Sequence, residues 1–331
     1  MTNTPLSVAI VGMGKWGQTL VNSVQGRSEK IRFVAGATRT PSRVAGFAAR
    51  QGIEMLPDLD AVLARDDIQG IVLATPHSQH RAQIEVAAAA GKHVFCEKPL
   101  TLTATDAKAA FAAARQAGVT LAIGHNRRFL PAYAKLSQLV REEIGELRQV
   151  IGNFSSGQWG YSAENWRVDP AESPAGGMTG LGIHTVDALI GLGLKPAEVT
   201  VANRRRAAQG LADTVTALIE NSDGTLAILT TVAGPGRFWR IEVFGSDGWA
   251  SMNGEHSVSL GRPGEPEQVW NFAWSDMERA ELEAFADAVT GEAPYPITAE
   301  QGVRGIHLFE AICAAAEAAP GGRASRTVSQ G

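Results

Sequence analysis

Residues 8–24 read VAIVGMGKWGQTLVNSV, and this stretch decides the fold of the N-terminal part of the chain. A short apolar run ends in three glycines spaced GxGxxG, namely Gly12, Gly14 and Gly17, and a helical pattern follows directly. In such a loop the first glycine permits a tight turn, the second lets the backbone approach a pyrophosphate, and the third lets helix and strand pack closely. The stretch predicts a dinucleotide-binding loop that includes the intervening Lys15 and Trp16. The alternative is a glycine turn in an unrelated α/β protein.

Around this loop, residues 6–123 alternate apolar strand candidates with Ala-rich stretches of helical periodicity. Strand, helix and strand at this spacing predict a parallel sheet with helices on both faces. The strand candidates are 8–11, 31–37, 70–74, 93–96 and 119–123, and the helical stretches are 15–25, 41–51, 78–91 and 103–117.

The pattern changes after residue 146, where short segments alternate as strands and turn sequences such as NSDG separate them. These segments predict an antiparallel sheet, and therefore a second domain. We expect a nucleotide-binding domain over residues 1–125 and an α+β domain over 126–331, whose small polar tail, GGRASRTVSQG, is loose. The strand segments are 147–158, 197–204, 211–220, 225–233, 238–245 and 248–260, and helices are expected at 176–191, 276–290 and 299–318.

The composition of the 331 residues, 44% hydrophobic and 19% charged with a net charge of −4, is typical of a soluble globular protein. The charge argues against nucleic acid as the main partner, because phosphate binding needs a basic face. The longest apolar runs fall short of the ~20 residues that span a bilayer, and no secretory leader is recognised. The two cysteines, Cys96 and Cys313, have no metal-binding spacing. We therefore expect a cytoplasmic protein with no metal site and no membrane or nucleic-acid partner.

The second strand candidate ends in VAGATRTPSR, residues 34–43, and this segment bears on the kind of dinucleotide. An acid about 20 residues beyond the glycine loop would bind the ribose 2′-hydroxyl of NAD. Thr38 stands where that acid is expected, Arg39 follows it, and Arg43 comes one turn later. These residues predict a preference for NADP over NAD. The alternative is that both arginines are solvated residues at a helix start.

Three further stretches extend the pattern along nearly the whole chain: ATPHSQH at 74–80, AGKHVFCEKP at 90–99 and GGMTGLGIHTVDAL at 176–189. Together with GMGKWG at 12–17, they make the chain resemble the glucose–fructose oxidoreductase/inositol dehydrogenase (Gfo/Idh/MocA) family. The resemblance implies a Rossmann domain followed by an α+β domain with a large open, mostly antiparallel sheet. It also implies a nicotinamide cofactor, hydride transfer at a sugar or polyol carbon, and homodimers or homotetramers formed through the C-terminal sheet.

Glu97 and Lys98 end a strand candidate at the edge of the parallel sheet, where ligands bind. A lysine removed from water there can exchange a proton with a substrate hydroxyl or stabilise an oxyanion, and the family pattern points the same way. Glu97 is expected to position the lysine or the cofactor; the alternative is a surface ion pair. Thr75 and Pro76 match the family's pair beside the nicotinamide. His80 is a cofactor-side candidate, for which helix capping or packing is the favoured alternative.

His184 is the second candidate for proton transfer and lies in the helical stretch 176–191. Many sugar dehydrogenases of the family carry an aspartate four residues before this histidine, on the same helix face, where it orients the imidazole. In this chain that position is Gly180. Asp187 shares the face of His184 and is a candidate substrate contact, or a structural anchor of the helix. The alternative for His184 is a buried histidine at the domain interface.

Residues 123–133, IGHNRRFLPAY, correspond to a stretch that reaches the substrate in the family. Asn126 and Arg127 are the candidates for hydroxyl or carboxylate contacts. Tyr161, Trp166 and Trp239 lie in two aromatic-rich segments and are candidates for a stacking wall against a sugar face or an aromatic ring. Core packing and subunit contact are the alternative for these aromatic residues.

These patterns predict an NAD(P)-dependent oxidoreductase, with NADP preferred, that acts on a carbinol or carbonyl carbon of a small sugar-like, polyol or cyclic substrate. We expect Lys98 and His184 to converge on the reacting oxygen and to serve in proton transfer. The alternative function is a non-catalytic NAD(P)-binding sensor or regulator of the same fold.

Overall fold

The computed structural model describes residues 4–156, 165–206, 211–234 and 236–328. The chain divides into two compact units. The first unit takes the residues up to Thr101 together with Thr105–Asn126 and Asp276–Ala299. The second takes Leu102–Ala104, Arg127–Ser275 and the residues from Glu300 onward.

The regular elements of the described ranges are numbered in chain order. The strands are β1 (Leu6–Val11), β2 (Ile31–Ala37), β3 (Glu54–Leu56), β4 (Gly70–Leu73), β5 (His93–Glu97), β6 (Leu121–Gly124), β7 (Leu147–Ser155), β8 (Pro196–Arg204), β9 (Thr214–Asn221), β10 (Leu226–Val232), β11 (Phe238–Gly245), β12 (Trp249–Asn253), β13 (Ser257–Gly261), β14 (Gln268–Asn271) and β15 (Arg323–Thr327). The α-helices are α1 (Lys15–Val24), α2 (Ala45–Gln51), α3 (Leu59–Leu63), α4 (His80–Ala89), α5 (Ala104–Ala117), α6 (Pro131–Glu142), α7 (Ile183–Gly191), α8 (Met277–Thr290) and α9 (Ala299–Ala318).

The first unit is built on a six-stranded sheet in the order β3-β2-β1-β4-β5-β6, in which every neighbouring pair is parallel. Strands β1 and β4 are buried along their whole length, as apolar strands are in a sheet covered on both faces. This arrangement confirms the Rossmann domain predicted from the alternating pattern. Because all strands run in one direction, the residues that follow β1, β4 and β5 share one edge of the sheet.

Helix α8 belongs to the first unit, although the sequence places it in the second domain, 126–331. Its residues Leu282 and Phe285 are fully buried and join the same apolar cluster as Phe95 of β5. The Phe95 and Phe285 rings meet edge to face with their centroids 5.9 Å apart. Burial of a Phe side chain contributes about 2–3 kcal/mol, which explains why this helix packs on the parallel sheet.

The second unit contains a nine-stranded sheet in the order β14-β13-β12-β11-β7-β10-β9-β8-β15. All neighbouring pairs are antiparallel except β7 and β10, which confirms the large, mostly antiparallel sheet. One face carries the buried side chains of alternating residues and contacts helices α6 and α7. The other face carries polar residues and four large exposed apolar ones, namely Leu218, Leu226, Phe238 and Val269.

Two local expectations about this sheet are wrong. Segment 248–260 is predicted as one strand but forms the hairpin of β12 and β13, whose turn contains Gly254 with a φ of 64°. The tail is predicted to be loose, but Arg323–Thr327 forms β15 and pairs antiparallel with β8. The side chains of β15 are mostly exposed, so backbone hydrogen bonds rather than an apolar face hold this strand.

Candidate active site

The glycine turn joins β1 directly to the start of α1, and two of its glycines are required by close backbone contacts. Gly12 has a φ of +94°, and a Cβ there would lie 2.6 Å from the carbonyl oxygen of Ala74. A Cβ at Gly17 would run into the carbonyl oxygen of Gly12. A Cβ at Gly14 would have no neighbour within 4 Å, so the approach to the helix N-terminus is open. This cradle fits a pyrophosphate, which the free N–H groups and partial positive charge of a helix N-terminus favour.

The residues after β2 fit the predicted position of the adenosine ribose. Thr38 is half-buried, whereas Arg39 and Arg43 are exposed, and Pro41–Arg43 forms a short 3₁₀ turn ahead of α2. Segment 38–43 contains no carboxylate. In the described part of the chain, neither guanidinium makes an ion pair, so both are available to an added phosphate.

The end of β5 holds a buried acid next to a half-buried base. Glu97 is only 5% exposed, its Oε2 accepts a hydrogen bond of 3.2 Å from the backbone N–H of Lys98, and Lys98 precedes the cis peptide bond to Pro99. Burial raises the pKa of Glu97 to about 7, although the indole N–H of Trp16 and the charge of Lys98 act in the opposite direction. The burial of Glu97 does not fit the alternative of a simple surface ion pair.

Trp16 and Glu278 both lie close enough to the Glu97 carboxyl at the end of β5 to affect its pKa. Trp16, between the second and third glycines, is half-buried and lies beside the Glu97 carboxyl, whereas Lys15 is exposed. The negative charge of Glu278, in the first turn of α8, also raises the pKa of Glu97. Asn126 donates a hydrogen bond of 3.0 Å from Nδ2 to Glu278 Oε1. The structure therefore links Asn126 to the end of β5 through Glu278, a residue that the sequence analysis missed.

The turn after β4 is tied to the turn after β5 by one histidine. The ring of His80 has no exposed surface, and its Nδ1 lies 3.0 Å from the carbonyl oxygen of Pro99 while its Nε2 lies 3.1 Å from that of Thr75. These contacts agree with the alternative in which His80 serves in packing. Thr75 and Pro76 are half-buried, and the Thr75 hydroxyl donates to Gln83 Oε1 at 2.6 Å.

In the second unit, His184 lies in the first turn of α7, directly after the π-helical turn Met178–Gly182. It is 5% exposed, and the centroid of its ring lies 5.7 Å from that of Phe154. Gly180 is exposed, and a Cβ there would have no neighbour within 4 Å. The position that lacks the acid is therefore open rather than filled by other atoms of the chain.

Asp187 forms a buried ion pair that the sequence did not predict. Its Oδ1 lies 3.5 Å from Nη1 of Arg128, and the two side chains are 7% and 8% exposed. Arg128 also donates to the carbonyl oxygen of Asp187 at 3.0 Å and to Gln301 Oε1 at 3.0 Å. These contacts agree with the alternative in which Asp187 anchors its helix. A contact between Asp187 and substrate stays a prediction.

Arg127 lies over aromatic rings in the second unit. Its guanidinium carbon is 4.3 Å from the centroid of Phe154 and 5.4 Å from that of Trp239, and Nη2 is 3.7 Å from Glu255. Trp239 is buried beneath this arginine, whereas the half-buried Trp166 is contacted by Arg167 at 4.2 Å. Tyr161 lies outside the described residues.

Three residues around Arg127 were not predicted from the sequence: Phe154, Glu255 and Arg237, of which Arg237 donates to the same oxygen of Glu255 as Arg127 approaches. The segment RFWR at 237–240 predicts only Trp239 as a site residue, and no local sequence pattern marks Glu255, which lies in the turn between β12 and β13. Among the described residues, no group of three His, Cys, Asp or Glu side chains could hold a metal ion. No helix within these same ranges is long and apolar enough to cross a membrane.

A parallel sheet with a glycine turn at the carboxyl end of β1 defines a dinucleotide-binding domain of the Rossmann class. Comparison with known proteins specifies the group: residues 6–125 match the oxidoreductase family with an NAD-binding Rossmann fold, and residues 133–251 match the GFO/IDH/MocA C-terminal domain. The chain belongs to the Gfo/Idh/MocA family of oxidoreductases, as its motifs indicate.

Several relatives are similar over most of the chain. It is 30% identical to an inositol 2-dehydrogenase of Rhizobium meliloti over 76% of each chain. It is 28% identical to a D-xylose 1-dehydrogenase (NADP(+)) of Haloferax volcanii over 91% of this chain and 94% of that protein. The crystal structure of an inositol dehydrogenase homologue from Azotobacter vinelandii, complexed with NAD+, superposes with a TM-score of 0.88 over 98% of both chains at 22% identity. This last likeness shows the fold.

Proposed function

We propose that the protein is a dehydrogenase or reductase that transfers hydride between NADP and a carbinol or carbonyl carbon of a small sugar-like, polyol or cyclic substrate. One observation carries this proposal. Trp16, in the cofactor loop, lies beside Glu97, which is the chain neighbour of Lys98. The loop that fits the pyrophosphate and the lysine suited to proton transfer therefore belong to one edge of the parallel sheet.

The nicotinamide, when bound, accepts or supplies the hydride. Lys98 handles the accompanying proton: in oxidation its amine takes the proton that leaves the carbinol oxygen, and in reduction its ammonium returns one to the carbonyl oxygen. The Glu97 carboxyl accepts a hydrogen bond from the backbone N–H of Lys98 and so fixes the turn that carries the lysine. His184 is the second residue in proton transfer, and the substrate meets one fewer acidic side chain because Gly180 stands one turn before it.

Turnover of two variants tests these roles. We expect Lys98→Ala to lose about 10²–10⁴-fold in kcat and His184→Ala to lose about 10²-fold, since a positioned acid or base contributes an effect of this size. Lys108→Ala is the matched control, because Lys108 is an exposed lysine of α5 in the same unit as Lys98. Turnover near the wild-type value in Lys98→Ala would defeat the mechanism.

The preference for NADP is supported by Thr38, Arg39 and Arg43 and by the lack of an acid in segment 38–43. We expect the wild-type protein to bind NADPH more tightly than NADH. The combined Arg39→Ala and Arg43→Ala variant should lose most of this difference, whereas Arg50→Ala, an exposed arginine of α2, should keep it. Tighter binding of NADH by the wild-type protein would refute the preference.

A regulator without turnover is the second candidate, and the missing acid at Gly180 is the observation that favours it. A panel of carbonyl and polyol compounds, followed at the nicotinamide absorbance, separates the two functions. Consumption of cofactor with any compound supports the enzyme. Tight NADPH binding with no consumption across the panel supports the regulator.

We also propose that the protein works as a homodimer or homotetramer in the cytoplasm. The four exposed apolar residues on one face of the nine-stranded sheet support a contact with a second copy. The two buried cysteines are free, as is usual in a reducing compartment. Light scattering should give twice or four times the mass of one 34.9 kDa chain, and Phe238→Asp should lower it. A monomeric wild-type protein would rule out the assembly.

A further inference from the structure

Two arginines of the second unit share a single carboxylate. Arg127 Nη2 lies 3.7 Å from Glu255 Oε1, and Arg237 Nη2 donates to the same oxygen. These three side chains, here called the Arg–Glu cluster, carry one net positive charge. The side chains of Arg127 and Glu255 are 10% and 13% exposed, whereas that of Arg237 is 58% exposed. One guanidinium is thus held in the interior and the other is open to a ligand.

The cluster lies close to the histidine proposed for proton transfer, and all of these residues belong to the second unit. The guanidinium carbon of Arg127 is 4.3 Å from the centroid of Phe154, and that ring is 5.7 Å from the centroid of His184. The Arg127 guanidinium and the His184 ring are therefore no more than about 10 Å apart. A six-carbon substrate with a hydrogen bond at each end spans this distance.

We propose that Arg237 and Arg127 form an anion subsite that binds a carboxylate or phosphate group of the substrate, which takes the place of Glu255 on Arg237. Arginine is suited to this exchange because its planar guanidinium binds carboxylate and phosphate through two parallel hydrogen bonds. The aromatic surroundings of Arg127 keep its charge in a fixed position. The preferred substrate class is then a sugar acid or a sugar phosphate, an inference that rests on the proposed function.

The open position at Gly180 agrees with this substrate class. A protein carboxylate one turn before His184 would repel an anionic ligand, and this chain has none there. In the protein without ligand, the Glu255 carboxylate compensates part of the charge of the buried Arg127, which would otherwise be unpaired with an acid.

The test measures binding, so that its result does not depend on turnover. The affinities of the full-length protein for D-glucuronate, glucose 6-phosphate and uncharged D-glucose are measured by calorimetry in the presence of NADPH. We expect at least one of the two anions to bind at least about tenfold more tightly than glucose. One charge-assisted hydrogen bond provides a gain in affinity of this size. Preference for glucuronate or for glucose 6-phosphate identifies the carboxylate or the phosphate as the group bound.

Two variants make the test specific because they are expected to act in opposite directions. Arg237→Gln should lower the anion-to-glucose affinity ratio about tenfold, since it removes the exposed guanidinium. Glu255→Gln should raise the ratio, since it removes the competing carboxylate. Arg240→Gln is the matched control, because Arg240 lies three residues later, on β11, and pairs with Glu242 instead. Melting curves establish that each variant is folded.

The subsite is refuted if neither anion binds more tightly than glucose, or if both variants move the ratio in the same direction. A failure of the proposed function looks different. A charge preference that persists in a protein without turnover on any compound would retain the subsite and discard the enzyme. Turnover on uncharged substrates alone, with no charge preference in binding, would retain the enzyme and discard the subsite.

Discussion

The two units build their functional regions in different ways. In the first, each candidate residue lies within a few positions of a strand end. The backbone shapes the cofactor loop, because Gly12 closes the turn and Gly14 leaves the helix N-terminus open. In the second, the cluster around His184 is assembled from Arg127, Phe154, Trp239 and Glu255, which lie far apart in sequence. Under the proposed function, backbone geometry binds a cofactor that is common to many enzymes, and side chains select the particular substrate.

This contrast predicts that a single added methyl group is far more harmful in the first unit than in the second. We expect Gly12→Ala to destabilise the fold by about 4 kcal/mol, because it combines an unfavourable φ with a clash against Ala74, and to abolish cofactor binding. Urea unfolding and NADPH titration measure both effects. Gly180→Ala, in the second unit, has open space and should leave stability unchanged or raise it by up to ~1 kcal/mol.

Gly14→Ala separates the fold from the ligand within the same loop. Its added Cβ has no neighbour, so stability should be preserved while NADPH affinity falls. If Gly12→Ala and Gly180→Ala prove equally mild, the backbone of the glycine turn does not have the role assigned to it here.

The second unit, in contrast, should be sensitive to the loss of a side-chain charge. We expect Arg128→Leu to cost about 3 kcal/mol of unfolding free energy, because it leaves the Asp187 carboxylate buried without its partner. Replacing both residues by leucine should cost less than replacing Arg128 alone. If the loss in the double variant equals the sum of the losses in Arg128→Leu and Asp187→Leu, the two side chains are not coupled.

The buried acid of the first unit should make the stability of the protein depend on pH. The pKa of Glu97 is raised to about 7 in the folded state, so between its ordinary value and 7 the folded state binds more protons than the unfolded state. The free energy of unfolding therefore falls as pH rises through this range, by at most about 3 kcal/mol from this group. Glu97→Gln should remove this fall in denaturant titrations at pH 5 and pH 8.

Glu29→Gln provides the reference for that experiment, because Glu29 is an exposed glutamate of the same unit. It should retain the wild-type slope between the two pH values. A slope unchanged by Glu97→Gln would mean that the carboxyl is ionised at pH 5 in the folded protein.

The smallest effect is expected for the ion pair between Lys30 and Asp287. The Lys30 Nζ lies 2.7 Å from Oδ1 of Asp287, and the lysine side chain is 46% exposed. Exposed ion pairs contribute little because solvent screens them, so Lys30→Ala should cost less than about 1 kcal/mol in urea unfolding. A larger loss would show that α8 depends on this pair and not on its apolar contacts with the sheet.

The sequence predicts the first unit well because its signals are local. The glycine spacing and the apolar strands lie next to each other in the chain, so the parallel sheet and its ligand edge follow from them. The position of helix α8 is not predictable in this way, because only the contact between Phe285 and Phe95 shows which sheet the helix covers. Likewise β15 has no apolar face, and its pairing with β8 depends on the backbone alone.

The candidate substrate residues of the second unit are marked by no comparable local pattern in the sequence. Nothing near Glu255 in the sequence indicates that two arginines, one of them more than a hundred residues earlier, meet its carboxylate. The paired residues Arg128 and Asp187 are also far apart, with a sequence separation of 59. Such contacts are set by the register of the sheet and the placement of α7, which only the folded chain defines.

The empty space at Gly180 also has an evolutionary consequence. One base change in a glycine codon can give aspartate, and a Cβ at this position would have no neighbour within 4 Å. The aspartate that the family resemblance implies at this position is therefore one mutational step away from the glycine, and we expect that step to have little effect on stability. Among close homologues, a change of substrate charge should then accompany a change at this single position.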